Sequence, residues 1–281
     1  MKDLKENLLV GFISLIVLVW TIFPIYNMII TSFKPWREVW MATYFPHHPT
    51  LEAYITIINQ SYFRVHKYWL WLWNSIRVSL EVMVLGALIG LLAGYTICER
   101  SALRSFIKGT ARMISLLVYI FPASLLSIPI YILLMNYRLL NTDIGLALSL
   151  ATLVSPFNAW MAAEYLNSIP KEIEEAALVD GASTFQVYFK ILLPLIRPAI
   201  IALSVYSFIF SWNNYLYPLL IIQDEDKFLL PVALGAFLQA DDDPWHIFFA
   251  AGLIYAVPPL VLYYAFRRYL VSGLFRGAVK I

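Results

Sequence analysis

The chain has 281 residues, of which 61% are hydrophobic and only 14% are charged, and its formal net charge is +2. Soluble globular domains carry about 25% charged residues, so this composition excludes an ordinary soluble domain and indicates a protein with several membrane-spanning segments. The single cysteine, Cys98, excludes a disulfide within the chain.

Six apolar segments follow one another along the chain, and each is long enough to cross a bilayer, which takes roughly 20 helical residues. A further apolar stretch, 228–240, is too short to span and is predicted to form a surface or re-entrant helix in a loop over 224–246. The predicted fold class is therefore all-α, a single transmembrane domain over residues 1–281. The six predicted spans cover residues 7–33, 69–98, 113–137, 144–163, 199–223 and 247–266.

The second span contains two charged residues, Arg77 and Glu81. They are four positions apart, so they share one face of a helix and are able to form an ion pair. An ion pair near the outer membrane boundary is the favoured interpretation, and a place in a transport pathway is the alternative.

The distribution of basic residues between the spans predicts the orientation of the chain. Segments 1–6, 99–112, 165–198 and 267–281 hold 13 Lys and Arg residues, whereas the segments on the other side hold 6. Basic residues collect on the cytoplasmic side of a membrane protein, so both termini are predicted to be cytoplasmic. The polar segment 165–198, which we call the elbow, is then cytoplasmic as well.

The elbow carries signals for two short helices. Ser168 and Pro170 are typical of a helix start, and Gly181 is expected to end the first helix in a left-handed conformation. A second helix is predicted from about Thr184 to Leu192, before the return to the membrane. The result is a helix-turn-helix along the membrane surface. The alternative is an ordinary amphipathic hairpin without a partner.

The elbow has the pattern E-A-A-x3-G-x9-I-x-L-P, which resembles the coupling loop of bacterial ABC importer permeases. Further segments, including Asn74-Ser75, 156–160, 211–215 and 273–280, are similar to the carbohydrate-uptake branch of that family. The whole chain looks like the smaller, six-span permease of a maltose-type importer. The residues that the resemblance assigns to ATPase coupling are Glu175, Ala176, Ala177, Asp180, Gly181, Ile191, Leu193 and Pro194.

The resemblance implies a transport subunit that forms half of a pore for a sugar or related solute. Its expected partners are a second homologous permease, two copies of an ATPase subunit, an extracytoplasmic solute-binding protein and the lipid bilayer. No nucleic-acid partner is expected. The implied location is the bacterial cytoplasmic (inner) membrane, where the elbow docks on the ATPase and Ala176 and Ala177 give it a smooth, closely fitting face.

Two further sites are predicted, for which the residue spacing gives less support than it does for the elbow. Trp212, Asn213, Asn214 and Tyr215 place amide and aromatic groups inside the fifth span, where they line a translocation pathway or form hydrogen bonds between helices. The family usually has Glu where this chain has Asn214. The resemblance also implies contact with the binding protein near the end of the outer loop, for which the alternative is a solvated acidic turn. The contact residues are Gln239, Asp241, Asp242, Asp243 and Pro244.

Several chemistries lack their sequence signature. The chain has no G-x-x-x-x-G-K-[ST] loop, so ATP and Mg are expected in the partner ATPase, with no cofactor bound by this chain. The four histidines form no helical metal motif, so no metal site is predicted, and no catalytic constellation can be recognised. The remaining alternatives are an ABC permease for a non-sugar solute, an integral membrane enzyme, and a structural or signalling membrane protein.

Overall fold

The computed structural model describes residues 2–100, 104–235, 237 and 244–278, without the side chains of residues 2–6, 8 and 270–278. Every regular element in these ranges is helical, which confirms the all-α fold class. The helices are α1 (Lys2–Ser32), α2 (Glu52–Ile58), α3 (Tyr68–Ile97), α4 (Ser105–Ile120), α5 (Ala123–Asn136), α6 (Asp143–Asn167), α7 (Lys171–Val179), α8 (Thr184–Gln186), α9 (Leu193–Leu195), α10 (Arg197–Trp212), α11 (Leu216–Ile221), α12 (Leu230–Gly235) and α13 (Trp245–Ala278). A π-helical turn, Val187–Leu192, joins α8 to α9.

Four of the described helical segments are long and apolar enough to cross a membrane as single helices: Leu9–Ser32, Tyr68–Ile97, Asp143–Asn167 and Trp245–Tyr269. Two bent pairs also qualify, Ser105–Ile120 with Ala123–Asn136 at 101° and Thr184–Leu195 with Arg197–Trp212 at 77°. The described chain therefore reaches six spans when each bent pair counts as one.

The predicted third span, 113–137, is divided by a sharp bend in the structure. Phe121 and Pro122 both have extended backbone, with ψ angles of 132° and 119°. A residue before proline is disfavoured in the helical region, and proline has no N–H for the helical ladder. Pro122 thus explains why α4 stops at Ile120 and α5 starts in a new direction.

The predicted fifth span, 199–223, is also interrupted. Helix α10 ends at Trp212 and α11 begins at Leu216, so residues 213–215 connect two helices. Pro218 accounts for the break, because its ring would clash with the carbonyl group four residues earlier, at Asn214, in a continuous helix.

The chain divides into two compact units. One takes the chain up to Trp69 together with Ala233–Val257, and the other takes Leu70–Val232 and the chain from Pro258 onward. In the second unit α6 is the central helix, and 13 of its 25 residues are buried. Apolar side chains of α3, α5, α10 and α11 pack around α6 in two buried clusters.

A row of glycines lets α3 approach α6 closely. Gly86, Gly90 and Gly94 are spaced by four residues, so they lie on one face of α3. A Cβ atom added at Gly86 would lie 2.7 Å from Val154 Cγ2, and one at Gly94 would lie 2.6 Å from Ala162 Cβ. Neither distance is compatible with van der Waals packing, so these positions admit no larger residue unless the helices separate. Small residues at this spacing are a common basis of helix packing in membranes.

Candidate functional site

The turn of the elbow is fixed by Gly181. Its φ angle is +85°, which confirms the predicted left-handed conformation. The Gly181 N–H donates to Leu178 O (3.0 Å) and the Ala182 N–H donates to Ala177 O (3.0 Å). This pair of bonds is the Schellman arrangement that ends a helix and satisfies its last carbonyls. A Cβ at Gly181 would meet no atom within 4 Å, so the need for glycine comes from the backbone alone.

The two elbow helices begin differently from each other. Ser168 was expected to cap α7, but this expectation is wrong, because Ser168 ends α6 and donates its hydroxyl to Tyr165 O (2.7 Å). Pro170 occupies the N-cap position of α7 instead. The predicted start at Thr184 is confirmed, with Ser183 as N-cap. Ser183 Oγ accepts from the Gln186 N–H, and Gln186 Oε1 accepts from the Ser183 N–H, which forms a capping box.

A buried arginine ties the elbow to the ends of α3 and α6. The side chain of Arg100 is only 2% exposed; its Nε donates to Leu166 O (3.0 Å), and its Nη1 lies 3.3 Å from Glu174 Oε2 on α7. Because the guanidinium group is a permanently charged, planar donor, it holds α7 in a defined direction. Arg100 therefore connects α7 to the C-terminal end of α6.

The second half of the elbow is anchored by apolar packing. Val187, Tyr188 and Leu192 are buried, and the Tyr188 hydroxyl donates to Leu91 O (2.8 Å) on α3. The phenol thereby supplies a partner for a buried carbonyl as well as apolar area. The elbow is consequently attached to the bundle on both sides of its turn.

The two alanines of the pattern do not share one outer face. Ala177 is half-buried against the apolar cluster at the base of the elbow, whereas Ala176 is exposed. The large apolar side chains of the elbow that reach solvent include Val179 (87% exposed), Phe185 (69%) and Phe189 (43%), and the ring centroids of Phe185 and Phe189 lie 4.3 Å apart. We call these three residues the elbow patch. Of the other predicted coupling residues, Glu175, Asp180 and Pro194 are exposed, and Ile191 and Leu193 are half-buried.

Trp212 to Tyr215 lie at the break between α10 and α11 rather than inside a continuous helix, which corrects the expectation for this segment. Trp212 is 2% exposed and stacks on Phe208, with ring centroids 5.4 Å apart. Asn213 Nδ2 donates to Ile209 O (3.0 Å), and Asn214 Oδ1 accepts from the Tyr217 N–H (3.1 Å). Both amides therefore bind backbone groups at the two helix ends, and Tyr215 is 44% exposed.

A buried amide links three helices of the second unit. Asn158 Nδ2 on α6 donates to Gly86 O on α3 (3.0 Å) and to Ser207 Oγ on α10 (2.8 Å). Asn158 is fully buried, and interhelical hydrogen bonds of this type stabilise membrane bundles. The sequence showed Asn158 only as part of a family-like segment, without its partners.

Asn74 and Ser75, another family-like pair, hold the beginning of the outer loop. Asn74 Nδ2 donates to Asp226 O (2.8 Å), and Ser75 Oγ accepts from the Leu230 N–H (2.8 Å). Of the predicted binding-protein contacts, Gln239 and the three aspartates 241–243 lie outside the described residues. Pro244 is buried at the start of α13.

Arg77 pairs with Asp143 at the start of α6, Nη2 to Oδ2 at 2.6 Å, and not with Glu81 as the spacing predicted. The partner is 66 positions away in the sequence, so helix periodicity alone does not reveal it. Within the described ranges, no group of three or more His, Cys, Asp and Glu side chains is arranged to hold a metal ion.

Sequence comparison relates this chain to membrane transport proteins. Residues 86–276 match the family model described as binding-protein-dependent transport system inner membrane component. The chain is 30% identical to the arabinooligosaccharides transport system permease protein AraQ of Halalkalibacterium halodurans, with 92% of this chain and 91% of the relative covered. It is 33% identical to the inner membrane ABC transporter permease protein YcjP of Escherichia coli, with 94% and 92% covered.

A third relative is also a permease, and a solved structure shares the fold of this chain. The chain is 28% identical to the diacetylchitobiose uptake system permease protein DasC of Streptomyces coelicolor, with 95% of each covered. Its fold is similar to a chain in the crystal structure of a bacterial ABC transporter involved in the import of the acidic polysaccharide alginate. The TM-score is 0.80 at 20% sequence identity, with 96% of this chain and 98% of that chain covered.

Proposed function

Because the chain belongs to the family of binding-protein-dependent transport system inner membrane components, we propose that it forms half of the translocation pore of an importer for a sugar or sugar-like solute. It is a permease subunit of an ABC importer and a multi-pass protein of the inner membrane. The sugar assignment is supported by relatives named for arabinooligosaccharides and diacetylchitobiose. Family membership favours a transport subunit over the alternative of an integral membrane enzyme.

The observation that carries the mechanical part of the proposal is the geometry of the elbow. Its turn is fixed by the positive φ of Gly181, its base is anchored by Arg100 and Tyr188, and its outer surface presents the elbow patch. We propose that this patch docks on a separate ATPase subunit, which binds ATP and Mg, whereas this chain binds no cofactor. The exposed acidic residues Glu175 and Asp180 border the docking surface.

Coupling requires that ATP binding and solute release favour the same state of the complex. An ATPase subunit that pulls on the elbow patch moves α7, and Arg100 transmits this movement to the ends of α3 and α6. Those helices share the glycine contact, so they move together. Two ATPase copies, one for each permease subunit, then change access to the pore from one side to the other.

The remaining assignments are proposals that rest on the family and on the distribution of basic residues. We propose that both termini and the elbow are cytoplasmic, and that the loop 224–246 contacts an extracytoplasmic solute-binding protein through Gln239 and Asp241–Asp243, whereas Pro244 is buried. The break at Trp212–Tyr215 lies beside the pathway, where the exposed ring of Tyr215 offers an apolar surface to a sugar. The buried Trp212 and the bonded amides of Asn213 and Asn214 shape this break rather than bind solute.

Site-directed photo-cross-linking tests the docking of the elbow. Cys98 is first replaced by alanine, and Phe185→Cys is labelled with a benzophenone maleimide in the complex purified from membranes. We expect a covalent product with the ATPase subunit, because Phe185 is 69% exposed in the elbow patch. The matched control is Tyr44→Cys, which is 74% exposed in a segment predicted to be extracytoplasmic and is expected to give no such product. Equal products at both positions, or a product at neither in a complex that retains the ATPase, would contradict the docking.

A further inference from the structure

Three ionisable side chains meet where α6 begins beside α3. Arg77 Nη2 and Asp143 Oδ2 form an ion pair at 2.6 Å, and Glu81 lies one helical turn beyond Arg77. Each residue retains a polar atom that is shielded from solvent and has no hydrogen-bond partner in the described part of the chain: Arg77 Nε, Glu81 Oε2 and Asp143 Oδ1. Fully ionised, the three groups carry one net negative charge.

Glu81 lies within the hydrocarbon core for every position in which α3 fills that core. The helix has 30 residues and is about 45 Å long, and Glu81 lies about 20 Å from its first residue. The hydrocarbon core is about 30 Å thick, so any 30 Å window along this helix contains Glu81. A charged or polar group at such a depth is costly unless protein or enclosed water satisfies it.

The charged residues lie on an exposed face of α3. Trp73, Leu80 and Val84 lie on the same face as Arg77 and Glu81, at helical spacing, and are 58%, 39% and 51% exposed. Together with Leu85 and Ile144 they line a shallow groove. Gly86 and Gly90 lie on another face of α3, where they contact α6.

We propose that this face of α3 binds a transmembrane helix of the second permease subunit, and that the helix presents a lysine, an arginine or another N–H or O–H donor to the Glu81 carboxylate. The inference rests on the proposed function, because it takes the second permease from that proposal. The net negative charge favours a cationic donor, and the Arg77–Asp143 pair holds the site in place before the partner arrives. Phospholipid chains do not suit the groove, because they carry no hydrogen-bond donor for the carboxylate.

The test places the photo-reactive amino acid benzoylphenylalanine at Val84, in the complex purified from membranes with Glu81 unchanged. We expect a covalent product between this chain and the second permease subunit. A covalent product only with lipid, or with the binding protein, would overturn the proposal. The probe lies on the exposed face, so it does not disturb the packing against α6.

A second measurement uses Glu81 itself. Glu81→Leu removes the acceptor, and we expect the amount of second permease that copurifies with this chain to fall about tenfold, because the donor of the partner is left buried and unpaired. Glu81→Gln keeps an acceptor oxygen and is expected to retain most of the partner. Copurification of Glu81→Leu at the wild-type level would overturn the proposal. Uptake by the unmodified complex is measured separately, so a failure of the interface is distinguishable from a failure of the importer function.

Discussion

Replacing Gly90 with alanine is expected to destabilise the bundle strongly, although alanine is the better helix former. A Cβ at Gly90 would overlap the Cβ of Asn158 and lie 3.1 Å from its backbone carbon. The obstacle is backbone rather than the end of a flexible side chain, so α3 and α6 have to separate. Overpacking of this kind costs about 1–3 kcal/mol, and the separation also stretches the bond from Asn158 to Gly86 O.

Gly109→Ala on α4 is the matched control for this substitution. A Cβ at Gly109 meets no atom within 4 Å, so the change is expected to gain about 1 kcal/mol from helix propensity and to leave packing unaltered. The measurement is the midpoint of thermal unfolding of each purified complex in detergent, followed by size-exclusion chromatography. A midpoint for Gly90→Ala at or above that of Gly109→Ala would show that the close contact between α3 and α6 does not exist.

Gly181→Val is expected to uncouple ATP hydrolysis from transport while the protein still inserts and assembles. The left-handed backbone at Gly181 costs about 1–2 kcal/mol for a residue with a side chain, and more for a β-branched one. The strain is relieved by moving α7 relative to α8, which displaces the elbow patch. The position is exposed with open space around it, so the bundle core is not disturbed.

Gly181→Asn separates strain from the mere presence of a side chain. Asparagine adopts the left-handed conformation more readily than other residues, so this variant is expected to retain most of the coupling. The measurement is the ATPase activity of reconstituted complexes with and without solute-loaded binding protein. Stimulation of Gly181→Val at the wild-type level, or equal loss in both variants, would contradict a conformational role for this glycine.

The local features of the elbow were predictable from sequence because they depend on few neighbouring residues. The left-handed conformation of Gly181 depends only on the last turn of α7, which immediately precedes it. Ser183 caps α8 through bonds to a residue three positions away. The misplaced cap at Ser168 has a local cause as well. Pro170 fits the N-cap position of α7, and the preceding helix extends far enough to include Asn167.

The interactions that the sequence did not reveal are those between distant segments. Arg77 forms an ion pair with Asp143 rather than with Glu81, and Arg100 forms one with Glu174, which is 74 positions away in the sequence. Pro122 in the sequence signals an interruption of the helix after Ile120. A proline inside an apolar run bends some helices and breaks others, and tertiary packing decides which of the two occurs. The glycine row of α3 was visible in the sequence, whereas its contact with α6 required the structure.

The central claim is that this chain forms half of a pore, and that ATP hydrolysis in the partner subunit drives solute transport through its contact with the elbow. The most direct test is uptake of a radiolabelled sugar, chosen as the one that the cognate binding protein binds most tightly, into proteoliposomes that contain the purified complex. We expect uptake only when ATP is on the side of the elbow and the loaded binding protein is on the opposite side, and we expect little uptake with Gly181→Val. Uptake that proceeds without ATP, or that is unchanged when this chain is omitted from the complex, would contradict the claim.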